Sequence, residues 1–320
     1  MRIAITGGTG FIGSALVQRL LAEGHEVKVL SRHPQRARLP KGASAGFFDA
    51  FLPLEEGLLD DMEAVVHLAG EPIGRRWTAE HKERVRQSRA VGTRSIAEGA
   101  ARAKVKTLLS ASAVGFYGPR GDEPLTEEAS PGTDFLAQVC QRWEQAATPA
   151  KEAGVRVVHP RIGTALHPEG GVLGRLLLPF KLGAGGRLGS GEQYMSWIHR
   201  DDLVSLLVFL LTKSELAGPV NATAPHPVTN RVFTKTLAHA LHRPAVLPAP
   251  AFALELALGE MSTLLLDGQR VVPKRALDAG FTFAFPHLSG ALEDLLGHAQ
   301  PLPAGLGGDG HAPEHEVAKN

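Results

Sequence analysis

A chain of 320 residues is long enough to bury one large α/β core with an appended lobe, so one or two domains are expected. A formal net charge of +1 with 21% charged residues argues against a polyanion-binding surface, a disordered acidic chain or a membrane-surface protein; the expected partner is a small-molecule substrate, with no nucleic acid and no membrane. The single cysteine, Cys140, excludes an intrachain disulfide framework and a multi-cysteine zinc site, so no metal is expected, and it fits a reducing compartment, of which the cytoplasm is the simplest.

The chain opens MRIAIT without a basic leader, apolar stretch and cleavage site in succession, and secretion by that route is not expected. Residues 2–6 (RIAIT) form the first β-rich run and lead straight into TGGTGFIGS, followed by helical periodicity over 11–23. Gly7, Gly10 and Gly13 therefore lie between a strand and a helix, the context that gives a glycine pattern its meaning. The first permits a tight turn, the second lets backbone approach a pyrophosphate, and the third lets helix and strand pack closely. The phosphate then meets the positive end of the helix dipole. The second strand, 26–31 (EVKVLS), ends in Leu30, Ser31, Arg32 and His33. A carboxylate there would hold the ribose hydroxyls of NAD, whereas an arginine grips a 2′-phosphate bidentately; with Arg32 and no carboxylate, the expected cofactor is NADP.

Further β-rich runs at 44–49, 63–68 (EAVVHL), 105–110 (VKTLLS) and 155–160 (VRVVHP) alternate with helical periodicity over 78–103 and 132–153. That alternation predicts an α/β fold, a doubly wound parallel Rossmann sheet over residues 1–163, with 197–222 returning to it. Glycine and proline thicken over 160–193, so 164–196 and 223–247 are expected to build a smaller substrate lobe. The run LVSLLVFLL at 203–211 is far short of the roughly 20 residues that span a bilayer and reads as a core helix. After the linker RPAVLPAPA, residues 248–297 form a small helix-rich C-terminal domain, and 298–320 lack apolar periodicity and are expected to be a disordered tail.

The segments TGGTGFIG, HLAGEPI, RRWTAEHK, SASAVGFYG, GSGEQYMSWIHRDDL, GPVNATAPHPVTN and LDGQRVVPKRALDAGF, spread over about residues 1–297, resemble the extended short-chain dehydrogenase/reductase superfamily. The likeness is closest to its atypical epimerase-like branch, which carries a small extra C-terminal domain and is often labelled nucleoside-diphosphate-sugar epimerase. The resemblance implies that Gly7, Thr9, Gly10, Phe11 and Ile12 wrap the pyrophosphate ahead of Gly13, and that Arg32 meets the adenosine phosphate. It also sets Leu68, Ala69 and Gly70 against the nicotinamide, and maps the serine that holds the substrate oxygen onto Ser112, with Ser110 beside it. Segments 78–103 and 132–153 resemble the helix pair through which relatives form two-fold dimers, so a homodimer is implied.

The stretch DFLAQVCQRWE departs from that pattern. The superfamily's catalytic helix carries Tyr-x-x-x-Lys and a glutamate four residues later; anchored on Glu144, this puts Cys140 at the lysine position and Leu136 at the tyrosine position. Leucine donates no proton and cysteine carries no fixed positive charge, and general acid–base catalysis is worth about 10²- to 10⁴-fold. Tyr117 could supply the phenol beside Ser112, and Glu71 or His67 could titrate instead; Cys140 itself reads as a small core residue. Met195 and Ser196 stand where sugar-nucleotide members carry the Arg-Asp of their diphosphate clamp, though Arg75, Arg76 and Arg187 could bind an anion. Trp77, Tyr194 and Trp197 could line a pocket, and Asp201 and Asp202 are placed to cap the helix that follows them. The expected function is an NADP(H)-dependent oxidoreductase or epimerase acting on a small polar substrate held between Ser112, Tyr117 and residues 187–199. A non-catalytic NADP-binding redox regulator is the alternative; a sugar-nucleotide epimerase is disfavoured by Met195.

Overall fold

The computed structural model describes residues 1–297, and the tail expected over 298–320 lies outside the described residues. Strands β1 (Arg2–Thr6), β2 (Glu26–Ser31), β3 (Ala43–Phe47), β4 (Ala64–His67) and β5 (Thr107–Ser110) alternate with helices α1 (Gly13–Ala22) and α2 (Ala79–Arg102). Short strands β6 (Ser112–Ala113) and β7 (Pro124–Leu125), helices α3 (Phe135–Gln145) and α4 (Thr148–Glu152), and strand β8 (Arg156–Ile162) follow. The segment 132–153 thus forms two helices where one was expected. Pro149 has no N–H to donate to the Gln145 carbonyl, and the Thr148 hydroxyl covers that oxygen instead at 2.6 Å.

The second half runs β9 (Thr164–His167), α5 (Gly171–Lys181), β10 (Tyr194–Met195), β11 (Trp197–His199), α6 (Arg200–Thr212) and β12 (Gly218–Ala222). It ends in β13 (Val228–Thr229), α7 (Asn230–Ala240), α8 (Ala251–Leu258), α9 (Thr263–Leu266), β14 (Arg270–Val271), α10 (Lys274–Asp278) and α11 (Leu288–Gly297). The central sheet has the order β12-β8-β5-β4-β1-β2-β3, with β6 also pairing β8, and every pairing in it is parallel. The winding reverses between β1 and β4, so the crevice past their C-terminal ends, at Gly7 and Leu68, is where such a sheet binds ligands.

Because side chains alternate along a strand, Ile3 and Ile5 of β1 pack with Leu16 and Leu20 of α1 and with Leu203 and Leu207 of α6, while Ala4 faces the opposite way. On that opposite face Val65, Leu108 and Val157 pack under Ile96 and Ala100 of α2. Each buried aliphatic side chain contributes about 1.5–3 kcal/mol, which holds the strand ends rigidly enough to position a ligand. No helix among the described residues is long and apolar enough to cross a membrane; α6, the run over 203–211, is core.

The C-terminal segment is fastened to this frame by polar sockets. Asp202, 3% exposed, accepts from the backbone N–H groups of Ala284 (2.8 Å) and Phe285 (2.9 Å). Glu127 accepts from the N–H of Asn221 (2.9 Å) and of Arg275 (3.3 Å), and the Ser196 hydroxyl accepts from Val271 (2.9 Å) while donating to the Gln269 carbonyl (2.6 Å). The expectation that Asp201 and Asp202 cap α6 is corrected: His199 Nδ1 accepts from the Asp201 N–H at 3.1 Å, leaving Asp202 free to reach the C-terminal segment. The fully buried Trp197 is likewise a packing residue rather than a pocket wall.

Candidate functional site

A cavity of about 860 Å³ opens at the switch point and is lined by the loop Gly7–Gly10, the β2 end with Ser31 and Arg32, the Arg36–Pro40 stretch, Phe48–Phe51 and Leu68–Pro72. The loop has no room for side chains: a Cβ on Gly13 would stand 2.2 Å from the Gly7 carbonyl oxygen, and Gly7 has φ +71°, open to glycine at no steric cost. No side chain caps α1; the Ser14 N–H donates to the Gly10 carbonyl (2.9 Å), and the positive dipole end of the helix faces the loop, where it favours an anion. A diphosphate fits this cradle. Arg32, Arg36 and Arg38 also line the cavity, and among the described residues none of the three guanidinium groups has an ion-pair or hydrogen-bond partner. Arg36 and Arg38 were not singled out in the sequence; the signal was the basic spacing of PQRAR immediately after Arg32.

The other end of the cavity is bounded by Leu68, Ala69, Gly70, Glu71 and Ser88. Glu71 is 7% exposed, and its carboxylate lies 3.5 Å from both Arg75 and Arg84. Its backbone is held from both sides: its N–H donates to Ser88 Oγ (3.0 Å), and its carbonyl accepts from Arg89 Nη1 (3.0 Å). The Arg89 guanidinium lies 4.8 Å from the centre of the Trp143 ring. Burial draws that guanidinium below its usual pKa, against the pull of the Glu71 carboxylate.

His67 does not reach this end as a titrating group. Thr6 Oγ1 accepts from the Ala69 N–H (3.2 Å) and lies within hydrogen-bond distance of His67 Nδ1 at 2.7 Å. Burial pushes the His67 pKa down to about 3.

Ser112 and Tyr117 also lie elsewhere than expected. Ser112 is 2% exposed and its hydroxyl donates to Glu144 Oε1 at 2.8 Å. Glu144 is held bidentately by Arg161, Nε to Oε1 at 2.8 Å and Nη2 to Oε2 at 2.9 Å. Arg161 Nη1 donates to the Tyr117 oxygen (2.9 Å), and the Tyr117 hydroxyl donates to Asn221 Oδ1 (2.6 Å). With no exposed surface, Tyr117 presents nothing to the cavity, and neither residue lines it. The physical reason is the cost of a charge in the interior: Arg161 interrupts an apolar strand and recruits every nearby acceptor. An arginine within VRVVHPRI was the sequence signal for this network.

Cys140 is 4% exposed, and burial pushes its thiol up to about 12, with Glu144 adding to the rise. It is protonated at neutral pH and is neither a nucleophile nor a cation. Leu136 packs close to Gly115 beside it. Trp77 donates Nε1–H to the Ile73 carbonyl (3.0 Å) and meets Phe135 edge-on, and Tyr194 lies under the Arg270 guanidinium at 5.3 Å.

The chain matches the NAD dependent epimerase/dehydratase family over residues 3–222 and a domain of unknown function (DUF1731) over 249–295. It is 40% identical over 302 residues to the Arabidopsis thaliana protein described as "Epimerase family protein SDR39U1 homolog, chloroplastic", covering 92% of this chain and 87% of that one. It is 38% identical to the Bacillus subtilis epimerase family protein YfhF, covering 92% and 98%. The crystal structure of human epimerase family protein SDR39U1 (isoform 2) with NADPH superposes with a TM-score of 0.84 at 35% identity, covering 93% of this chain and all of that one.

Proposed function

The chain belongs to the NAD dependent epimerase/dehydratase family, and on that footing we propose that it is an NADP(H)-dependent oxidoreductase or epimerase acting on a small polar substrate. The observation that carries this is the set of three guanidinium groups, Arg32, Arg36 and Arg38, unpartnered among the described residues, lining the same cavity as the Gly7–Gly10 loop. Three cations without a counter-charge suit a 2′-phosphate far better than ribose hydroxyls. The human relative was crystallised with NADPH, which supports the same choice. In this assignment Gly7, Thr9, Gly10, Phe11, Ile12 and Gly13 hold the pyrophosphate, Arg32 takes the adenosine phosphate, and Leu68, Ala69 and Gly70 flank the nicotinamide.

The bound dinucleotide would supply or accept hydride. The chain's own part is to orient it and to move a proton, and the carboxylate placed for that is Glu71, poised between Arg75 and Arg84 at the nicotinamide end. Ser112 and Tyr117 keep their neighbours' charges satisfied instead. A buried, un-ionised single thiol fits a reducing compartment, and we place the protein in the cytoplasm.

A second function has one observation in its favour: the hydroxyls of Ser112 and Tyr117 are committed inside the protein, as they would be in a non-catalytic NADP-binding redox regulator. Titration of the purified chain with NADPH and NADH, followed by absorbance at 340 nm against a panel of aldehydes, ketones and sugars, separates the two. NADPH is expected to bind at least tenfold tighter than NADH, and Arg32→Ala to shrink the difference. Equal affinities defeat the cofactor assignment, and tight binding without turnover on any carbonyl favours the regulator.

A further inference from the structure

With Cys140 at the lysine position and its thiol un-ionised, the catalytic helix brings no fixed cation to the nicotinamide end. A cation arrives there from α2. The guanidinium of Arg89 lies directly against Gly70: a Cβ on that glycine would stand 3.3 Å from Arg89 Cζ, 3.4 Å from Nη1 and 3.5 Å from Nη2. Gly70 is itself a wall residue of the dinucleotide cavity, so Arg89 forms the layer immediately behind a residue that has no side chain to screen it. Nη1 is committed to the carbonyls of Glu71 (3.0 Å) and Val85 (3.4 Å), and the guanidinium is steadied by the Trp143 ring. Nε and Nη2 form no hydrogen bond among the described residues. A half-buried arginine with one nitrogen anchored and two spare, set behind the one glycine of the HLAGEP turn, is oriented like a ligand-binding group.

We propose that Arg89 binds the nicotinamide-ribose half of the dinucleotide and supplies, from α2, the fixed positive charge that Cys140 cannot; this rests on the NADP(H) assignment above. The charge has a directional consequence. Oxidised nicotinamide is itself a cation and reduced nicotinamide is neutral, so a guanidinium beside it favours NADPH over NADP⁺.

The full-length chain is titrated with NADPH, NADP⁺ and 2′,5′-ADP, the last of which carries the adenosine half alone. Arg89→Met is expected to lose about tenfold or more in NADPH affinity and less in NADP⁺ affinity, with 2′,5′-ADP binding unchanged. The unchanged 2′,5′-ADP binding also reports an intact fold. Arg89→Gln keeps a donor for the Glu71 carbonyl but no charge, and is expected to show the same NADPH-selective loss; Arg89→Lys is expected to restore the preference in large part. Equal losses for NADPH and NADP⁺ in Arg89→Gln, or no loss at all, would mean that Arg89 only pins the Glu71 loop and would overturn the proposal. If the parent chain binds neither 2′,5′-ADP nor NADPH, the NADP(H) assignment itself has failed and this inference falls with it.

Discussion

Arg161→Met is the substitution that most directly tests why Ser112 and Tyr117 face inward. Arginine and methionine share an unbranched stem, so the change removes the charge and three hydrogen-bonding nitrogens with little change in shape along the strand. It leaves the Glu144 carboxylate, 14% exposed at the side chain, with the Ser112 hydroxyl as its remaining side-chain donor. It also removes the donor to the Tyr117 oxygen and the guanidinium that sits 3.4 Å from the centre of the Phe116 ring. Stranding one member of a buried pair costs about 3–5 kcal/mol. Set against a total stability of about 5–15 kcal/mol, that is about a fifth or more of what holds the domain. Adding Glu144→Gln removes the stranded charge, so the double variant should recover about 2 kcal/mol relative to Arg161→Met alone. Urea unfolding followed by tryptophan fluorescence, with Trp143 on the same helix as Glu144, measures all members of the cycle at constant m. A cost below about 1 kcal/mol for Arg161→Met, or single costs that simply add, would refute the network as the reason for the inward hydroxyls.

Tyr117→Phe is expected to cost about 1–3 kcal/mol of stability by leaving Asn221 Oδ1 without its donor, with NADPH affinity unchanged in the same titration. His67 is neutral in the folded chain, with a pKa near 3, but takes up a proton below about 6.5 when unfolded. Its contribution to stability is therefore present above pH 6.5 and lost as the pH falls toward 3. Between pH 7 and 5 the parent should lose about 2 kcal/mol more than His67→Gln; parallel losses would show that the imidazole is not held neutral. Cys140, with its thiol pushed up to about 12, should resist a disulfide reagent at pH 8 until the chain is unfolded in urea. Finally, we propose a two-fold homodimer through α2 and α3; light scattering at micromolar concentration giving a monomer mass would contradict it.

The sheet was legible because alternating apolar strands and 3.6-residue helices leave a periodic trace, and the phosphate cradle because glycine is forced wherever backbone meets backbone, as at Gly13. Arg32 was legible from its place at the strand end. What stayed hidden depends on contacts between distant residues. Whether a serine hydroxyl turns toward a cleft or toward a carboxylate depends on the partner that carboxylate already has; Ser112 turns inward because Arg161 holds Glu144. Arg89 was invisible for a similar reason: on α2 it looks like one more solvated cation, and only the packing of α2 behind Gly70 gives it a different neighbour. Pro149 could have marked the break between α3 and α4, but the apolar period runs on across it.

The polar sockets at Asp202, Glu127 and Ser196 bear on inheritance. Each lies within the part of the chain that matches the epimerase family, and each is filled by backbone of the segment that matches the domain of unknown function. A recombination event that deleted the smaller segment would leave two carboxylates and a hydroxyl facing water or apolar side chains where they now meet N–H groups. Grafting that segment onto another Rossmann enzyme would require the acceptors to travel with it, at three positions scattered over the host. The two parts are adjacent in the gene but cannot be exchanged as cassettes, and a lineage that loses one would have to rewrite the other.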